Sequence, residues 1–111
     1  MTASHTSQIV ITFVNVFTTK LGQQQAAFDR IHQVYAEVVR EQPGFVDAQL
    51  LKSDDGSKVT AIAHWQTAEA LAALRQNPRF QELHDQTFWA AIADVRPTVY
   101  SATPVIVQAD A

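Results

Sequence analysis

Three residues of this 111-residue chain carry side chains that could do chemistry in an apolar setting: Asn15, Trp65 and His84. His84 lies in "PRFQELHDQTF" (residues 78–88), where Phe80, Leu83, Thr87 and Phe88 recur at helical spacing and the imidazole falls within their stripe. A neutral imidazole donates from one ring nitrogen and accepts at the other. His84 is therefore either a structural ring bonded to a neighbour, or a proton acceptor near neutral pH, or a metal ligand. Asn15 stands between Phe13 and Phe17 on an otherwise apolar run. Burying its amide unpaired costs about 1–3 kcal/mol, so it either bonds to nearby backbone or faces a cavity holding a ligand or water. Trp65 shares one strand face with Ala61 and Ala63. Small residues beside an indole suit a cavity floor and wall, with Phe13, Phe17, Tyr35, Phe80 and Phe88 completing the walls. Plain core packing would use the same pattern.

Other chemistries lack their residues. There is no cysteine, which removes disulfides, thiolate metal sites, iron–sulfur clusters and Cys nucleophiles. The three glycines are isolated, so no phosphate loop exists. Neither a His-x-x-x-His or paired-carboxylate motif nor a Gly-x-Ser-x-Gly elbow occurs. His5, His32 and His64 carry less weight than His84: a terminal residue, a helix-edge residue and one on the opposite strand face. The net charge of −3 is dispersed, which argues against nucleic acid or an anionic membrane as partner. No apolar run approaches the roughly 20 residues of a bilayer span, and the start lacks a secretory pattern. A cytoplasmic location is the default expectation.

The elements that must hold these residues follow from periodicity. Residues 8–19, "QIVITFVNVFTT", predict a strand with both faces apolar. Residues 23–42 predict an amphipathic helix with Phe28, Ile31, Tyr35 and Val38 inward, ended by Pro43-Gly44. "FVDAQLLKS" and "KVTAIAHWQ" predict an antiparallel pair joined at Asp54-Asp55-Gly56-Ser57. Thr67 caps "AEALAALRQ"; Asn77-Pro78 starts a further helix running to about Ala93; "PTVYSATPVIVQ" predicts a closing strand or extended arm. The expected domains are a flexible terminus at 1–7, a folded unit at 8–103 and an arm at 104–111. The order β-α-β-β-α-β is the ferredoxin-like α+β plan, an antiparallel sheet with helices on one face. Val14, Val16 and Ile62 then leave an apolar patch on the other face, which predicts a face-to-face homodimer.

From about residue 9 to 102 the chain resembles the antibiotic biosynthesis monooxygenase (ABM) family of dimeric α+β barrels. The resemblance is carried by "VNVFTTKLG", "REQPGFVDAQLLKSDDG", "AHWQT" and "NPRFQELH". It implies a pocket between sheet and helices in each subunit. One branch of the family oxidises anthrones and related aromatic polyketides with O2 and no cofactor. Of that branch's motif Trp65 is retained, whereas Ala61 stands at its asparagine, Leu71 at its tyrosine and His84 at its arginine. A haem-degrading branch uses a first-strand Asn and a last-helix His, which Asn15 and His84 match, and a Trp at the position of Leu74.

The expected function is thus a cofactor-independent monooxygenase acting on a phenolic, anthrone- or quinol-like aromatic. Trp65 would form the wall, Asn15 would hydrogen-bond the substrate oxygen or O2, and His84 would take the phenolic proton. Tyr35 would help orient the substrate; Ala61, Ala63, Leu71 and Leu74 would line the pocket with the phenylalanines. The alternatives are a haem protein liganded by His84 and a non-catalytic small-molecule binding module.

Overall fold

The computed structural model describes residues 11–110. The expected flexible terminus at 1–7, with His5, and the first residues of the first predicted strand lie outside them. The elements are β1 (Ile11–Thr19), α1 (Gln24–Glu37), β2 (Phe45–Lys52), β3 (Lys58–Trp65), α2 (Ala68–Arg75), α3 (Pro78–Leu83), α4 (Gln86–Ala90) and β4 (Ile92–Tyr100). All strand pairs are antiparallel and the sheet order is β2-β3-β1-β4. This is the ferredoxin-like arrangement anticipated from the element order.

Alternation along the strands divides the sheet into two faces. Val59, Ala61, Ala63 and Trp65 of β3 are buried, while Thr60, Ile62 and His64 between them are half-buried on the other side. The covered face meets Ala27, Ile31 and Val34 of α1, Leu71 and Leu74 of α2, Leu83 of α3 and Phe88 of α4 in one core. On the outer face the His64 ring nitrogen Nδ1 lies 2.6 Å from Asp47 Oδ1.

Local chemistry explains most boundaries. The β2–β3 hairpin turns at Gly56, whose φ is +78°. Asp55 Oδ1 accepts from the Ser53 and Ser57 hydroxyls, both at 2.7 Å, and from the Ser57 N–H at 2.9 Å. Those bonds to the charged form hold its carboxyl down at about 2. α1 is shorter than its periodicity predicts. Pro43 forces Gln42 to an extended conformation (ψ 138°), and Val39–Glu41 tighten into a 3-10 turn that absorbs the mismatch.

The end of the chain departs most from expectation. The predicted continuous helix from Asn77 to about Ala93 is two short helices, α3 and α4, broken at His84 and Asp85. Asp85 adopts an extended backbone and caps α4, its Oδ1 accepting from Phe88 N–H at 2.9 Å. A side-chain cap in mid-run competes with helix continuation, and here the cap wins. The final strand accordingly starts at Ile92 instead of Pro97 and ends at Tyr100. Pro97 is tolerated because β4 is an edge strand. Residues 104–110 form neither helix nor strand, and Val105, Ile106 and Val107 are 76–91% exposed.

Candidate active site

A cavity of about 370 Å³ opens between the sheet and the helices. β1 supplies Phe13, Asn15 and Phe17, which share the inward face because they are two residues apart. α1 supplies Ile31, Val34 and Tyr35; β3 ends in Trp65; α2 gives Leu71, Leu74 and Arg75. Phe80, His84 and Phe88 close the helical side, and Pro97 of β4 the far edge. Ten of the sequence-predicted site residues come together in this way: Asn15, Trp65, His84, Phe13, Phe17, Tyr35, Leu71, Leu74, Phe80 and Phe88 surround the hollow, with Trp65 braced edge-on by Phe45 at 5.3 Å, so every expected position but one pair is on its wall.

That pair is Ala61 and Ala63. Both are fully buried, yet neither lines the cavity. Their small side chains are taken up in the core, where α1 packs against β3. The hollow lies over β1 instead. The arginine at the end of α2 and the proline of β4 were missing from the expected set. Arg75 follows Leu74 directly and sits four residues after Leu71, so its place on the same helical side was readable.

The chamber is apolar, with polar atoms at few points. Among the described residues Asn15 Oδ1 and Trp65 Nε1 are buried and have no hydrogen-bond partner. One is an acceptor and the other a donor, and each unpaired buried group costs about 1–3 kcal/mol. Both belong to cavity-lining residues, and both atoms are themselves covered by neighbouring side chains. Burial pushes the Tyr35 hydroxyl up to about 12, keeping it protonated and able to donate.

His84 is not a stripe residue on a helix. It occupies the C-terminal boundary of α3, with φ −89° and ψ 54°. Its Nδ1 lies 2.6 Å from the Phe80 carbonyl oxygen. A carbonyl can only accept, so Nδ1 carries the proton and the neutral ring's lone pair is on Nε2. Phe80 and Phe88 flank the ring at 4.3 and 4.4 Å between centroids, and Trp89 stands at 5.9 Å. The ring is thereby held in one tautomer and one orientation. Asp85, next in the chain, is kept ionised chiefly by the Phe88 N–H and pairs with Arg30 of α1 at 3.4 Å.

A four-stranded antiparallel sheet under helices, hollowed into an apolar chamber with one imidazole and one carboxamide, places the chain among small ferredoxin-like α+β proteins with an internal cavity. Residues 10–86 match the family model of antibiotic biosynthesis monooxygenases, and the chain belongs to that family. It is 34% identical over 76 residues to the tetracenomycin-F1 monooxygenase of Streptomyces glaucescens, spanning 68% of each chain. Among solved structures it is similar to SnoaB, a cofactor-independent oxygenase from Streptomyces nogalater: 25% identity, 88% of this chain, 97% of that one, TM-score 0.74. A conserved protein from Methanosarcina mazei shares the fold with 14% identity and a TM-score of 0.74, over 87% of this chain and 96% of that one. Among the described residues no helix is long and apolar enough to cross a membrane.

Proposed function

We propose that this protein is a cofactor-independent monooxygenase that oxidises an anthrone- or quinol-like phenolic aromatic with O2. The observation that carries the proposal is the His84 tautomer: Nδ1 is committed to the Phe80 carbonyl, leaving Nε2 as a base on the cavity wall. The similarity to SnoaB and to the tetracenomycin-F1 enzyme supports the same class of chemistry.

In this mechanism the aromatic rings rest against Trp65 and the phenylalanines, with water excluded. Asn15 and the Trp65 N–H, covered by neighbouring side chains, turn to pair with substrate oxygens as the rings seat, which satisfies both orphaned groups. His84 Nε2 takes a phenolic or enolic proton. The resulting carbanion–phenolate reduces O2, and a carbon–oxygen bond forms at the activated CH2 carbon to give a hydroperoxide. Loss of water then leaves a carbonyl. The CH2 loses two hydrogens and gains one oxygen atom, the second oxygen departs in water, and His84 returns its proton. Functional protein is a two-fold homodimer, joined through the outer sheet face.

The test is oxygen uptake with dithranol under air. Wild type should exceed the buffer rate. His84→Ala should lose at least about 100-fold, the usual scale of a general base, and His84→Gln should be as poor while keeping the fold. Wild-type protein with no rate above buffer sinks the proposal, and an undiminished His84→Ala rate sinks the base assignment.

One observation also suits a second reading. A histidine whose Nδ1–H is held by a carbonyl is oriented as iron-binding histidines are. His84 would be the ligand, although Leu74 stands at the Trp position of the haem-degrading branch. Hemin titration separates the two: a Soret shift abolished by His84→Ala favours haem, and an unchanged spectrum removes it.

A further inference from the structure

The cavity has one formally charged side chain among its lining residues that the oxygenase chemistry does not use. Arg75 ends α2 and lies on the wall beyond Leu71 and Leu74, exposed to solvent at the mouth. Among the described residues no aspartate or glutamate lines the cavity.

A structural duty for this arginine would be either an ion pair or a helix cap, and neither is present. Among the described residues its guanidinium makes no salt bridge. The acids of the neighbouring helices are already engaged: Glu37 and Glu82 by Arg79 at 3.0 and 3.3 Å, and Asp85 by Arg30 at 3.4 Å. The last carbonyls of α2 are satisfied without it. Gln76 N–H donates to Ala73 and Leu74, Asn77 N–H donates to Leu74 at 3.0 Å, and the Gln81 amide donates to the Arg75 carbonyl itself at 2.9 Å. That last bond also fastens the backbone from which the side chain reaches. An apolar chamber with an uncompensated, always-charged fork at its rim selects for an anion at one end of a flat apolar body.

We propose that Arg75 is a specificity-determining residue that binds a carboxylate on the substrate, so that the ligand is a polycyclic phenol carrying an acid on its outermost ring. This rests on the aromatic-substrate reading above and narrows it. The rings enter first and the acid stays at the mouth, where it receives two parallel N–H donors from the guanidinium. Entry in that direction fixes which ring reaches His84.

The test is binding, measured by quenching of tryptophan fluorescence, with anthraquinone-2-carboxylate and the matched neutral anthraquinone-2-carboxamide. Wild type should bind the carboxylate about ten-fold tighter, the range for a charge-assisted bond at a partly wet site, and added salt should erode the preference. In Arg75→Gln the preference should vanish while carboxamide binding stays unchanged, which also reports an intact fold; Arg75→Lys should retain part of it. Equal wild-type affinities, or a preference that survives Arg75→Gln, overturns the assignment. If neither anthraquinone binds wild type, the aromatic pocket itself fails. A carboxylate preference without oxygen uptake leaves Arg75 standing and removes the oxygenase.

Discussion

At the scale of the residue, chemistry here is set by which atoms the fold has already committed. Phe80's carbonyl settles where the His84 proton sits, and the flanking rings of Phe80 and Phe88 settle where the lone pair points. Tyr35 is the companion case. Its surroundings disfavour the phenolate, so the folded chain keeps a proton that the unfolded chain has lost between about pH 10 and 12. Its contribution is fully present below pH 10 and is lost as pH rises through that window. Two pH units amount to at most about 2–3 kcal/mol, less for the part of the ring that water reaches. Alkaline unfolding followed by circular dichroism should therefore steepen above pH 10, and Tyr35→Phe should flatten that limb. Identical alkaline profiles for the two proteins would show that the hydroxyl is not enclosed.

At the scale of the element, two joints position the site. One is the turn before β2. Gly44 has φ +86°, and a Cβ there would meet Ala70 Cβ at 2.6 Å. The turn brings α2 against the strand end and lets Phe45 brace Trp65. Gly44→Ala combines a left-handed backbone with a clash against helix α2, and should cost about 2–4 kcal/mol. For a chain of this size that lowers Tm by roughly 8–20 °C. Adding Ala70→Gly should return the clash part but not the backbone part. A melting curve unmoved by Gly44→Ala would mean that α2 is not seated there. The second joint is the α3–α4 break. Asp85 caps α4, so Phe88 meets His84 across the break instead of one turn along a continuous helix.

At the scale of the whole molecule, the outer sheet face of a single chain is an apolar strip with no element among the described residues packed over it. Val14, Val16 and Ile62 sit there half-buried, with Leu51 48% and Tyr100 54% exposed. Strips of this kind mark interfaces, and a second copy is the occupant we propose. Light scattering should give twice the chain mass for wild type. Ile62→Glu, placing a charge at the middle of the strip, should shift it to monomer at micromolar concentration. A monomeric wild type would remove the dimer, and a dimeric Ile62→Glu would move its interface elsewhere.

Much of this was legible in order along the chain. The β-branched and aromatic run of β1, the alternation in β3, the Pro43-Gly44 and Asp55-Gly56 turns and the caps at Thr67 and Asn77 act over a few residues, so local composition specifies them and with them the antiparallel ferredoxin-like plan. Asn15, Trp65 and His84 stood out for a related reason: each is a side chain that its local pattern does not require. What local pattern could not say was where empty space would fall. Ala61 and Ala63 looked like a floor and became packed core, while Arg75 and Pro97 arrived at the wall from separate elements. The helix at 78–93 broke because an Asp85 cap and an ion pair to Arg30, 55 residues away, outweighed helical periodicity. A hollow is a mismatch among several packed surfaces, and its shape exists only once all of them have met.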